Sequence, residues 1–122
     1  MKHTFEEVYQ FAQLCYHNSE WAQEMSLKER VQELEKEVQE LMAEVGKDND
    51  RFKDELGDVF WDVIHLLIIA EDQGLIKPKQ LMENILKKFK KRKSFVLEGK
   101  KLTKEEELKL WEEVKKNERN RS

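Results

Sequence analysis

Proline occurs once in this chain, at position 78, and glycine four times, at 46, 57, 74 and 99. So few chain breakers in 122 residues cannot supply the turns that a β-sandwich or a doubly wound sheet requires. Long helices need far fewer, and the abundance of Glu, Lys and Leu favours them. Charged residues make up 40% of the sequence, a level that disordered chains share, but 39% apolar residues and three Trp are enough to build a core. The expected fold is all-α, an antiparallel bundle of four to five helices. It is expected to form a single domain over 1–122, with 118–122 as a frayed tail.

The pattern of apolar positions divides the chain. A first helix is expected from Thr4 to Trp21, with Thr4 and Glu7 as a capping box. A second starts at Ser26, followed three residues on by Glu29, and ends at Gly46. Its residues Leu27, Val31, Leu34, Val38, Leu41 and Val45 form a heptad seam surrounded by charge. A third runs from about Asp50 to Asp72 and should fold back on the second across the short GKDND turn. The fourth begins near Pro78, a residue suited to a first helical turn, and reaches about Lys93. Ser94 to Thr103 reads as an extended or looping segment, and Lys104 to Asn117 as a last amphipathic helix. The seam on the second helix is longer than one hairpin covers. A homodimer, or a dimer of dimers, is expected to complete the core.

Several classes are excluded early. Net charge is −3, so bulk electrostatics recruit no polyanion and nucleic acid is not an expected partner. Cys15 is the only cysteine, which rules out an intrachain disulfide or a thiolate metal cluster. No apolar run reaches the roughly eighteen residues needed to cross a bilayer, and MKHTFEEVYQ has no signal core. A cytoplasmic protein without membrane association is the expectation.

Acidic residues carry the first chemical signal. Glu37 and Glu40 are neighbours on one helical face, beside the Val38/Leu41 seam. Acidic pairs at this spacing arise about five times by chance in a chain so rich in Asp and Glu, so a solvated face explains this pair alone. Glu55, Asp58, Asp62 and His65 are more informative, because they fall within about 80° of arc on the least polar helix. Unpaired carboxylates on a mostly buried helix cost several kcal/mol. Basic side chains, protonation or a hard divalent cation must compensate them. His65 reads first as a hydrogen-bonded core histidine and second as a ligand. Gly57, between Glu55 and Asp58, weakens the helix by about 1 kcal/mol. Close helix packing, or the approach of a ligand to the carboxylates, would account for it.

Basic and aromatic residues carry the second signal. Lys87, Lys88, Lys90, Lys91, Arg92 and Lys93 crowd one helix end. Such a cluster can be a solvated helix terminus or a nucleic-acid contact. Lys88 and Arg92 are four apart and share a face, as a clamp on one oligophosphate would, and Lys91 is a possible helper. Trp111 lies beside Leu108 and Val114, which suits plain packing, while Trp21 and Trp61 read as core.

EKEVQELMAEV followed by ELGDVFWDVIHL, with fourteen residues between Glu40 and Glu55, resembles the MazG family of nucleoside triphosphate pyrophosphohydrolases, whose signature is E-x-x-E, a spacer, then E-x-x-D. Trp21 stands where that family has its upstream W-D-x-x-Q-T block. KKFKKRKSFV is similar to its K-L-x-R-R-H-P-H-V segment, and WEEVKK to its W-E-x-I-K. The sequence departs from the pattern at Lys36, where an additional Glu is common, and at Ala22, Met25, Ser26, Ser94 and Phe95. The resemblance implies Glu37, Glu40, Glu55 and Asp58 as catalytic ligands of Mg²⁺, with Mn²⁺ a possible substitute and Asp62 an auxiliary ligand. It assigns Lys88 and Arg92 to the triphosphate, with Lys91 as a substitute or helper, Trp111 to the base and Lys115 to phosphate or ribose. It further implies cleavage of a nucleoside triphosphate to monophosphate and pyrophosphate, in nucleotide-pool house-cleaning. Related all-α enzymes that hydrolyse dUTP or phosphoribosyl-ATP, and a non-enzymatic dimerisation or adaptor module, are the alternatives.

Overall fold

The computed structural model describes residues 1–121. Its elements are helices: α1 (Lys2–His17), α2 (Glu20–Glu24), α3 (Leu27–Glu44), α4 (Arg51–Asp72), α5 (Pro78–Arg92), α6 (Ser94–Leu97) and α7 (Lys104–Arg121). No strand occurs among the described residues. No helix is long and apolar enough to cross a membrane. The chain forms two compact units, Met1–Ile76 and the residues from Lys77 onward.

In the first unit, α3 and α4 pack along each other and α1 lies against α4. The core is small: Ala12 and Tyr16 of α1, Ala22 of α2, and Ile64, Ile68 and Ile69 of α4, flanked by Val8, Tyr9, Leu27 and Trp61. The buried part of α4 is its C-terminal half, where the sequence runs VIHLLIIA. Capping sets the ends. Ser26 Oγ accepts from Glu29 N (3.1 Å) and Glu29 Oε1 accepts from Ser26 N (3.3 Å), which is the expected capping box. At the far end of α4, Leu75 N donates to Ala70 O (2.9 Å) and Gly74 N to Glu71 O (3.0 Å). This paired closure needs a positive φ at its turning residue, and Gly74 adopts +73°.

Three expectations about local structure are corrected. The first helix starts at Lys2, which places Thr4 inside its first turn and leaves no Thr4/Glu7 capping box. It also stops at His17, short of Trp21. There Ser19 Oγ caps the new helix α2 by accepting from Ala22 N (3.1 Å), while Gln23 Nε2 donates to the carbonyls of Tyr16 and His17, both at 3.0 Å. Side chains thus satisfy the backbone on both sides of the break. Trp21 lies on the outer side of α2 at 76% exposure and is not core, whereas Trp61 packs against the core. Finally, residues 94–97 form the short helix α6 within the segment read as looping.

The heptad seam of α3 is only partly covered. Leu27, Leu34 and Leu41 are half-buried, whereas Val31, Val38 and Val45 are exposed, Val45 at 64%. Phe52, Leu56, Phe60 and Val63 are exposed on α4.

The second unit has no fully buried residue among those described. Its α5 and α7 are joined by Phe89 and Trp111, with ring centroids 6.0 Å apart, and by the ion pairs Arg92–Glu118 (2.9 Å) and Lys93–Glu107 (3.4 Å). Thr103 and Glu106 form a capping box at the start of α7, each bond 3.2 Å. Helix α7 continues through the stretch expected to fray as far as Arg121; Ser122 lies outside the described residues.

Candidate metal centre

Helices α3 and α4 run antiparallel. Glu44 acts on Glu55, Glu37 lies near Asp58, and Arg30 acts on Asp62 and His65, so positions descending α3 meet positions ascending α4. The turn between them is held by Asn49, whose Oδ1 accepts from Arg51 N at 2.9 Å. This pairing brings the two acidic pairs of the sequence together. Glu37, Glu55 and Asp58 each offer an oxygen, and the three oxygens lie within 4.8 Å of one another.

Glu37 and Glu55 are half-buried, and Asp58 is exposed. Glu37 Oε2 and Glu55 Oε2 are buried with no hydrogen-bond partner. Burial raises the Glu37 carboxyl first, and the charges of Glu40, Asp58 and Asp62 add to it, bringing it to about 7. Glu55 is raised by burial and then by Glu40, Asp58 and Glu44. Glu40, itself exposed, therefore borders both half-buried carboxylates without joining the triad of converging oxygens. Asp62 also stands outside that triad. Burial raises it overall, with Arg30 and His65 offsetting part of the rise and Glu33 and Asp58 adding to it.

His65 is the core histidine expected, 3% exposed, with Nδ1 donating to Trp61 O at 3.1 Å. Since a carbonyl only accepts, Nδ1 carries the proton. Burial keeps the ring below the usual imidazole value. A Cβ built at Gly57 meets nothing within 4 Å, so close packing inside this chain does not explain that glycine.

The remaining candidates belong to the second unit. Arg92 lies over the Trp111 ring at 4.9 Å from its centroid, Lys115 at 5.8 Å, and Lys88 over Phe89 at 5.7 Å. Lys91 and Lys88 are close enough to hold the Glu118 carboxyl down, after the larger effect of its hydrogen bond from Arg92. A cavity of about 380 Å³ is lined by Lys93, Lys104, Glu107, Leu108 and Trp111.

Two participants escape the sequence reading. Arg30, with Nε buried and unpartnered, stands seven residues before Glu37 and so on the same helical face. Glu118 stands seven residues after Trp111. That spacing was the available signal in both cases, hidden by the frequency of charge.

The raised carboxyls make the metal-free fold sensitive to pH. Glu37 keeps its proton in the folded state up to about pH 7 but loses it near its ordinary value when unfolded. Between those values the folded state binds more protons, and stability falls as pH rises. In chelator, Glu37→Gln should raise the melting temperature at pH 8 and leave it nearly unchanged at pH 5, measured by circular dichroism. An equal effect at both pH values would contradict the assignment.

No curated protein matches the chain. A mazG-related protein from Thermotoga maritima, known from its crystal structure, superposes with a TM-score of 0.85 over 91% of this chain and 98% of its own, at 23% identity. That likeness confirms the all-helical fold. The model of the MazG nucleotide pyrophosphohydrolase domain matches residues 1–97, which include the acidic pairs and the basic cluster but not WEEVKK. This chain belongs to the MazG nucleotide pyrophosphohydrolase domain family.

Proposed function

We propose that this chain is a Mg²⁺-dependent enzyme that hydrolyses nucleoside triphosphates, ribo- or deoxyribo-, to nucleoside monophosphate and pyrophosphate. The observation that carries the proposal is the convergence of Glu37, Glu55 and Asp58 oxygens within 4.8 Å, two of the residues holding a buried oxygen with no donor. Glu37 and Glu55, raised by burial and by the charges around them and each with a buried oxygen lacking a partner, are suited to a hard divalent cation, which binds oxygen and offsets their charge. Glu37, Glu55 and Asp58 would hold the ion, with Glu40 and Asp62 as adjoining ligands. When bound, Mg²⁺ supplies positive charge against phosphate oxygens and acidifies water.

The chain's own residues do the rest. Glu40, exposed beside both raised carboxylates, is suited to orient the attacking water and accept its proton. Lys88, Lys91 and Arg92 hold the triphosphate, Arg92 through its forked donor and the lysines as point charges. Trp111 offers an aromatic face to the base, and Lys115 reaches phosphate or ribose. Family membership supports attack at the α-phosphorus, and with it we propose a house-cleaning role in the nucleotide pool. We place the protein in the cytoplasm, acting as one domain over 1–122. The exposed valines of α3 and the exposed Phe52, Leu56, Phe60 and Val63 of α4 support a homodimer or a dimer of dimers.

Pyrophosphate release from a panel of NTPs and dNTPs should require Mg²⁺, and Glu55→Gln should lower kcat/KM by about a hundredfold or more. Turnover of no nucleotide, with Glu55→Gln silent, would leave the adaptor reading in its place. Release from dUTP or phosphoribosyl-ATP alone would point to the related enzymes. Mg²⁺ should also raise the melting temperature of the wild type more than that of Asp58→Asn; equal shifts would remove the metal assignment. Light scattering at micromolar concentration should give at least a dimer mass, and a monomer would count against the assembly.

A further inference from the structure

Arg92 and Trp111 are assigned above to different parts of a nucleotide, yet here they contact each other. The Arg92 guanidinium covers one face of the Trp111 ring at 4.9 Å and approaches Phe89 at 5.7 Å. The Arg92 side chain is only 11% exposed, and its Nη2 donates to Glu118 Oε2 at 2.9 Å. Glu118, 27% exposed, feels Lys91 and Lys88 as well as Arg92. One carboxylate thus stands among the three cations assigned to the substrate's phosphates.

The grip is incomplete. A guanidinium presents a fork of donors that two or more acceptor oxygens satisfy best. Glu118 engages Nη2, while Arg92 Nε is buried with no partner. A phosphate chain carries more oxygens and more charge than one carboxylate and would answer both nitrogens. We propose that Glu118 fills, from within the chain, the anion site formed by Lys88, Lys91 and Arg92, so that an oligophosphate binds there by displacing it. The proposal rests on the assignment of those three residues to the triphosphate. Displacement also frees Arg92 to leave the Trp111 face, which couples phosphate entry to exposure of the ring.

The test is calorimetric titration of the full chain with inorganic tripolyphosphate in chelator, so that no metal ion contributes to anion binding. Glu118→Gln should bind about three- to fivefold more tightly than wild type, the gain from losing a part-exposed competing ion pair, and Arg92→Gln more weakly. If Glu118→Gln binds no more tightly while Arg92→Gln is impaired, Glu118 is a brace and the displacement is overturned, with the anion site left standing. If Arg92→Gln binds as wild type does, the phosphate assignment of Arg92 falls and takes the proposal with it. Should Glu118→Gln disturb α7 by circular dichroism, Glu118→Ala lacks the same carboxylate and must show the same gain.

Discussion

The mutual repulsion of carboxylates across the α3–α4 interface is the constraint on which the rest of the structure depends. Helix pairing alone would favour apolar or oppositely charged residues at facing positions. Here Glu37 meets Glu55 and Asp58; burial is the larger cost for Glu37 and Glu55, and the neighbouring carboxylates add to it. The hydrophobic half of α4 makes this tolerable, because Ile64, Ile68 and Ile69 anchor the helix in the core independently of the acidic end. Core and site are therefore separated along one helix: two turns of packing hold a short charged segment in an arrangement it would not adopt by itself.

The second unit is held together by different means. None of its described residues is fully buried, and its α5 and α7 meet through the Phe89–Trp111 contact, the ion pairs of Arg92 and Lys93, and cations over Trp111. Interactions of this kind are individually small and exchange readily with water or ligand. A unit built this way can remake its contacts at little cost, whereas the carboxylate cluster sits on a packed scaffold.

Much of this was legible in the residues. The Ser26 capping box, the Gly74 stop, Pro78 as a helix start and the antiparallel α3–α4 hairpin are local signals, and each is found where expected. The convergence of Glu37 with Glu55 and Asp58 follows from that hairpin register. What could not be read depends on side chains competing for backbone groups or for each other. The α1–α2 break arises because Ser19 and Gln23 satisfy the backbone locally, which no apolar period reveals. Trp21 appeared to be core on residue type alone, yet α2 is a short helix whose inward position is occupied by Ala22. Glu118 was one acid among many until the fold placed it on Arg92.

Helix α4 has 22 residues, and its buried ones are Ile64, His65, Ile68 and Ile69. Its partner α3 buries Glu44 beside the turn, so the hairpin is fastened at both ends with the carboxylates between them. A beam held at both ends resists bending in its middle. The spacing between Glu37 and Glu55 is then a stiff coordinate. An ion too large or too small for the relaxed gap would have to bend the hairpin. Selectivity among cations would then reside in the stiffness of two helices, with the identity of the ligating atoms common to all of them.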